Sequence, residues 1–365
     1  MQFATPQKVQ FLSRLASYCD GQGGVTEQIS MPVDGVPVDG VPVDEKSVDV
    51  IETHMSWVFL TEQFVYKLKK PVRYAFLDFS TLAARYQDVQ AELRLNRRLA
   101  PQVYLEVVPL MVNLQGQLQL GAGTKVIDWL VKMRRLPADG MLDVAIKTGT
   151  VEEPDLSRIV QHLAKFYQAL PPVELSAMDY RCQLKSDLQT TLQALMRYAN
   201  GLPGNLVSCL LNELILFLKA EPEIFNDRIR QGKVIEGHGD LRPEHICLKP
   251  DITVIDCLEF NPSLRVLDCV DELAFLALEC ERLGAAWVGD QILELYYRTA
   301  QDAPPERLIG FYKAYRACLR AKLAIWHMQE PGRLEAADWF ERARTYLYLA
   351  EKYLPIHSTF RERQV

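Results

Sequence analysis

The chain has 365 residues, 48% of them hydrophobic and 24% charged, with a formal net charge of −6. That balance excludes a collagen-like or wholly disordered chain and leaves room for two or three domains of roughly 150 residues each. The negative charge argues against a general nucleic-acid binder, and no apolar run approaches the roughly 18 residues of a membrane span.

MQFATPQKVQFLSRL at the start lacks the unbroken apolar core of a signal peptide. Eight cysteines are scattered without a CxxC pair, so a cytoplasmic protein with buried free thiols is expected. Thr5 is expected to cap a first helix with Val9, Leu12, Leu15 and Cys19 on one face. Residues 32–44, PVDGVPVDGVPVD, form a five-residue repeat with Pro and Gly in each full unit. Such a stretch cannot hold a helix and reads as an exposed loop, with a two-stranded ribbon as the alternative. VDVIE (48–52), MSWVFL (55–60) and FVYKLK (64–69) read as consecutive strands, rich in Val, Phe, Trp and Tyr. A helix follows near 81–99. LMVNLQGQLQL (110–120) signals a hairpin turning at Gly116, and IDWLVKM (127–133) one more strand. After Pro154 helices are expected near 155–169, 182–199, 206–220, 265–283, 286–300, 306–329 and 333–353. A short β patch interrupts them: KVIEG (233–237), ICLK (246–249) and ITVID (252–256).

No GxxxxGK[ST] loop is present, so any nucleotide site must be built otherwise. The most informative segment is EGHGDLRPEHICLKPDITVIDCLEF (236–260). A strand ends at Gly237, His238-Gly239-Asp240 make a tight loop, and Pro243 stiffens its far side. Two short strands follow, the second ending on Asp256. Asp240 and Asp256 therefore stand at loop mouths flanking one hairpin. Carboxylates held in this way suit two tasks, receiving a proton from a hydroxyl and holding a divalent cation on a polyphosphate.

This layout is similar to the catalytic and metal loops of the kinase fold, and HGD in place of HRD resembles the aminoglycoside phosphotransferase and choline kinase branch. ETHMSWVFL, FVYKLKKPV, FLDFS, ELRLNRRLAP and VKMRRLP resemble a bacterial subgroup of that branch, over about residues 48–350. The resemblance implies an α+β, bilobal protein-kinase-like fold with a small antiparallel-sheet N-lobe and a mainly helical C-lobe. Residues 1–47 would be an N-terminal helix and repeat loop, 48–136 the nucleotide-binding N-lobe, and 137–365 the C-lobe with catalytic and metal loops. It further implies Asp240 as catalytic base, Asp256 as metal ligand, Lys67 as the lysine on the α- and β-phosphates, and Glu92 as its helix partner. Arg242 takes the place of a loop lysine that neutralises the transferred phosphate. Asp268 and Asp271 resemble aspartates that brace the catalytic loop, and backbone groups of Val131 to Met133 would form the adenine hinge.

Two positions depart from that pattern. His245 stands where the second metal ligand is Asn, and histidine is a poor Mg²⁺ ligand. One metal suffices, or Mn²⁺ is used, or a nearby oxygen substitutes, with Glu259 as the candidate. No glycine-rich stretch precedes Lys67, so the Thr53 and Ser56 hydroxyls of THMS (53–56) are the candidates to replace glycine amides.

Blander readings stand beside these. Lys67, Lys69 and Lys70 could be a solvated strand edge. Tyr315, Arg316, Arg320 and Lys322 read as an ordinary amphipathic face. Residues 64–98 carry eight Lys/Arg against three acids, and residues 265–294 seven acids against two arginines. A basic N-lobe would attract ATP phosphates, and an acidic C-lobe would suit a cationic acceptor. A solvated acidic helix face explains the second excess equally well. The reading favoured is transfer of the γ-phosphoryl group of ATP, with Mg²⁺ or Mn²⁺, to a hydroxyl of an aminoglycoside, sugar or amino alcohol. No nucleic-acid or membrane partner is expected, and the oligomeric state is not legible. The alternative is a non-catalytic nucleotide-binding module of the same fold. A protein kinase is disfavoured, because no APE-type activation segment follows Asp256.

Overall fold

Strand and helix periods decide which faces are buried, and the first sheet shows this directly. The computed structural model describes residues 3–18, 48–74, 77–328 and 336–354. The repeat at 32–44 and Cys19 lie outside the described residues. The chain divides into two units, one of Met1–Pro137 with Val254–Asn261 and one of Ala138–Thr253 with Pro262–Val365. Residues 254–261, assigned from sequence to the helical part, thus pack with the first unit.

In the first unit, helix α1 (Thr5–Leu12) precedes strands β1 (Asp49–Glu52), β2 (Ser56–Leu60) and β3 (Phe64–Lys69). Two short strands, β4 (Arg73–Tyr74) and β5 (Leu77–Asp78), lead to helix α2 (Leu82–Asn96). Strands β6 (Tyr104–Val112), β7 (Leu118–Leu120) and β8 (Lys125–Arg134) complete the unit's main sheet. Its order is β1-β2-β3-β8-β6-β7, and every pairing is antiparallel. Gly116 turns the β6–β7 hairpin at φ +81°, where only glycine is unstrained. Thr5 is not a cap. Ala4 holds that position, and its N–H donates to Gln7 Oε1 at 3.0 Å.

Side chains alternate across a strand. In FVYKLK, Tyr66 and Leu68 enter a core with Leu12, Phe59, Leu110 and Leu130. Lys67 and Lys69 face the other way, toward carboxylates of α2. Val131 of β8, opposite Lys67, joins Val89, Ala100, Val103 and Tyr104 on that same side.

The second unit is mainly helical: α3 (Leu142–Thr148), α4 (Glu153–Ala169), α5 (Ala177–Met196), α6 (Gly204–Ala220) and α7 (Pro222–Arg230). Short strands β9 (Val234–Glu236), β10 (Ile246–Cys247), β11 (Thr253–Val254) and β12 (Val266–Asp268) follow. Then come α8 (Cys269–Arg282), α9 (Ala286–Ala300), α10 (Glu306–His327) and α11 (Ala336–Glu351). Sequence periodicity misses α3, closed by Gly149 at φ +67°, and α7, opened by Pro222. The helix expected from 265 starts only at 269. Residues 266–268 pair with β9, and Asp268 caps α8 by accepting the Val270 N–H at 3.1 Å. Helix α10 is no solvated amphipath, since Tyr315 and Lys322 are buried and Arg316 is ion-paired to buried Asp271.

Candidate active site

In the first unit β3 delivers Lys67 and Lys69 from an interior strand, flanked by β2 and β8, rather than a solvated edge. Lys67 Nζ lies 2.9 Å from Glu92 Oε1 and 2.8 Å from Asp256 Oδ1. Lys69 Nζ lies 2.7 Å from Glu92 Oε2 and 2.9 Å from Asp88 Oδ2, and it also bonds Glu259. Asp88 and Glu92 are one turn apart on α2, so they share a face. Burial alone would strip charge from Lys67, but Asp256, Glu92 and Glu259 outweigh it and hold its ammonium well above the ordinary range. Glu92 is buried too, yet the two lysines keep it ionised and below its usual range. Two ammonium groups face four carboxylates here. With negative charge in excess, burial pushes Glu259 up to about 7 against the pull of Lys69.

Asp256 sits at φ +63°, a left-handed conformation that Asp tolerates better than most residues. Two side chains staple the turn. The Asp256 N–H donates to Tyr104 Oη at 3.1 Å, and the Cys257 N–H donates to Asn96 Oδ1 at 2.8 Å. The Asp256 side chain remains 46% exposed, so its carboxylate is reachable from solvent. Neither Tyr104 nor Asn96 is identifiable from sequence, because each acts more than 150 residues along the chain.

Three sequence expectations change in this unit. Ser56 is buried, and its backbone N–H donates to Thr53 Oγ1 at 3.0 Å. Thr53 therefore closes the β1–β2 turn, and the Ser56 hydroxyl is not offered to a phosphate. Val131 and Met133 lie in β8 between β3 and β6, so both edges of their backbone are in ladders. A doubly flanked strand has no backbone groups left for a base, and these residues do not form a hinge. Glu259 is bound to Lys69, so its carboxylate is already committed to a cation.

The second unit carries the HGD loop between β9 and a 3₁₀ turn, Pro243–His245. His238 is fully buried, and Gly239 has φ +90°. The brace is Glu272, not the expected pair. Its Oε1 accepts the His238 N–H at 2.8 Å and the Gly239 N–H at 2.6 Å, and its Oε2 accepts the Tyr167 hydroxyl at 2.9 Å. A Cβ on Gly237 would lie 3.0 Å from that carboxylate, so the loop approaches α8 too closely for a side chain there. Asp268 instead binds Arg228 at 2.7 and 2.8 Å, and Asp271 binds Arg316 at 2.7 and 2.6 Å. Choosing among three acids in LDCVDE requires the phase of α8, which depends on the cap at Asp268.

The Asp240 carboxylate lies between arginines. Arg242 Nε is 3.1 Å from Oδ2, and Arg320 Nη1 is 3.9 Å from Oδ1. Burial would raise this carboxyl, but the two guanidinium groups, Arg242 and Arg320, prevail and bring it down from 3.8 to about 2. His245 Nδ1 is 2.8 Å from the Asp240 carbonyl oxygen, and Arg242 Nη2 is 3.0 Å from His245 Nε2. A carbonyl needs a donor and a guanidinium needs an acceptor, so Nδ1 carries the proton and the Nε2 lone pair is taken. His245 is thereby a strut for Arg242 and not a metal ligand. Among the described residues most cysteines, including Cys247, Cys257 and Cys269, are buried free thiols, and Cys182 is exposed.

No helix of the described residues is long and apolar enough to cross a membrane. No family model matches the chain. It is 32% identical over 324 residues to uncharacterised proteins of Mycobacterium tuberculosis and Mycobacterium bovis, covering 86% of this chain. The chain spans 61% of the length of these curated relatives. Among solved structures, choline kinase from Cryptosporidium parvum superposes with a TM-score of 0.50 at 9% identity, over 87% of this chain and 90% of its own. LicA, the choline kinase of Streptococcus pneumoniae, solved in complex with AMP, gives a TM-score of 0.50 at 16% identity, over 84% and 92%. With the antiparallel sheet of the first unit and the helices of the second, these similarities establish that the chain has the kinase-like fold of the choline kinases.

Proposed function

We propose that the chain is an ATP-dependent phosphotransferase acting on a hydroxyl group of a small molecule. The observation that carries this reading is the Lys67 ammonium, buried in the first unit between Glu92 at 2.9 Å and Asp256 at 2.8 Å. A lysine so clamped is a fixed positive charge for the α- and β-phosphates, with Glu92 setting its direction. Asp256 offers a hard, solvent-reachable oxygen. That fits Mg²⁺, which takes one or two carboxylates together with phosphate oxygens and water. The ion would neutralise charge on the β- and γ-phosphates. The argument for Mn²⁺ lapses, because the His245 ring nitrogens are both engaged.

In the second unit Asp240 orients the acceptor hydroxyl. The acceptor oxygen forms a bond to the γ-phosphorus, the bond from that phosphorus to the ADP oxygen breaks, and the hydroxyl proton leaves toward Asp240. With its pKa near 2, Asp240 is ionised at neutral pH and a weak base. That is adequate, since a loose phosphoryl-transfer transition state asks mostly for alignment and charge stabilisation. Arg242, steered by His245, supports the transferred phosphoryl group.

The test is calorimetric titration of the full chain with ATP and Mg²⁺, followed by ADP release across a panel of hydroxyl compounds. Lys67→Met should weaken ATP at least about tenfold, the loss of one charge-assisted contact. Asp240→Asn should abolish turnover with ATP affinity within a few fold. Unchanged turnover in Asp240→Asn rejects the assignment. ATP binding with no turnover on any compound favours the non-catalytic module.

A further inference from the structure

The acidic excess of residues 265–294 suggests a cationic acceptor only if those acids are available. All seven already have a partner, Asp290 and Glu294 in exposed surface pairs. Asp268 binds Arg228, Asp271 binds Arg316, Asp290 lies 3.6 Å from Lys313, and Glu281 lies 2.9 Å from Lys352. Glu294 pairs with Arg298 on the exposed face of α9. Glu272 holds the HGD loop, and Glu279 accepts from Tyr346 Oη at 2.7 Å and Arg282 Nε at 2.7 Å. Glu244, four residues beyond Asp240, is held by Arg282 at 3.1 Å. Each of these eight carboxylates therefore already has a cation or donor.

What the unit presents beside Asp240 is positive. Arg320, on α10, is packed between the rings of Phe275 and Tyr346, 6.0 and 5.7 Å from their centroids. Its Nε is 3.5 Å from Tyr346 Oη and 3.9 Å from Glu279 Oε1. About 23% of the side chain is exposed, close to the 20% of Asp240. Arg242 is the second guanidinium on the same carboxylate. An amine entering here would meet two arginines and one carboxylate they already share. An oxyanion would meet a rigid, planar donor group suited to it.

We propose that Arg320 binds the acceptor, and that the acceptor is a hydroxylated anion, carrying a carboxylate or phosphate group, rather than an amine. This rests on the phosphotransferase reading above. The anionic group takes the outward edge of Arg320 while the acceptor's hydroxyl lies at Asp240.

The test measures ADP release from ATP and Mg²⁺ by the full chain with D-gluconate and D-glucose 6-phosphate, against D-glucose, choline and hygromycin B. At least one anion should exceed D-glucose, choline and hygromycin B in kcat/KM by about tenfold or more, the loss expected without one charge-assisted contact. The two anions separate a carboxylate from a phosphate preference. Arg320→Met should raise KM for the preferred anion roughly ten- to a hundredfold with a smaller change in kcat, and Arg320→Lys should recover part of it. Turnover that favours choline, hygromycin B or D-glucose, or that neither anion stimulates, overturns the proposal and leaves the phosphotransferase reading standing. If ATP neither binds nor turns over, that reading falls and takes the proposal with it.

Discussion

Replacing Glu272 by Ala removes a carboxylate oxygen that accepts two backbone N–H groups in the HGD loop, at 2.8 and 2.6 Å. Both groups lie at buried positions, so each becomes an unsatisfied donor worth about 1–3 kcal/mol. The expected loss is about 3–4 kcal/mol, after allowance for a water entering the space left behind. For a unit of this size that corresponds to a fall in Tm of about 6–15 °C. Glu272→Gln keeps a carbonyl oxygen for both N–H groups, loses charge assistance, and reverses the Tyr167 contact, the amide N–H donating to a hydroxyl that now accepts. Burial raises the Glu272 carboxyl above its ordinary value, so the charge is itself held against a desolvation penalty, and its removal offsets part of the loss. The Gln variant should therefore stay within about 1 kcal/mol of wild type. Chemical denaturation reads stability, and ADP release reads kcat. Asp240 follows Gly239 directly, so a displacement of about 1 Å in the Ala variant should lower kcat about a hundredfold. ATP affinity should hold, because Lys67 and Asp256 lie in the first unit. If Glu272→Ala lies within about 0.5 kcal/mol of wild type, or loses stability no more than Glu272→Gln, the brace is not what holds the loop.

Lys69→Met should be far more damaging to stability than Lys67→Met. It takes the lysine from two buried carboxylates, Asp88 and Glu259, and leaves Glu92 with Lys67 alone, for about 3–5 kcal/mol, whereas Lys67→Met leaves Lys69 on Glu92 and a half-exposed Asp256. Urea denaturation of the two variants checks the order, and equal losses would contradict it. Gly237→Ala places a Cβ 3.0 Å from Glu272 Oε1 and should lower kcat with little change in ATP affinity by calorimetry. The Asp240 carboxyl is depressed to about 2 from 3.8. It therefore contributes stability that is complete above about pH 4 and lost as pH falls toward 2, worth about 2 kcal/mol. Asp240→Asn should flatten that part of the stability–pH curve, and an unaltered acid limb would count against the arginine clamp.

Local alternation and a short loop signature carried most of what the sequence made legible. FVYKLK places two lysines on one face of a strand whatever the tertiary partners, and EGHGDLRPEH with VID marks both carboxylate loops. Most of the failures depend on a partner remote in sequence; His245 and Ser56, whose partners lie three residues away, are the exceptions. Val131 to Met133 look like an open strand end until β6 returns beside β8 and closes the second edge. His245 reads as a ligand until Arg242 takes its Nε2 lone pair. The acids of 265–294 look like a charged surface because their cations, at 228, 313, 316 and 352, lie outside the window. Arg320 gives no local signal, since the polar spacing of α10 is the same whether its face meets water or α8 and α11.

The central claim is tested most directly by following the γ-phosphate itself. The full chain is incubated with γ-labelled ATP, Mg²⁺ and a protein-free extract of small molecules, and the label is traced by chromatography. The account predicts a new labelled small molecule, stable to base as an alkyl phosphate is, made by the wild type and absent with Asp240→Asn. Label that stays on bound ATP, or leaves only as inorganic phosphate at equal rates in both proteins, would contradict it.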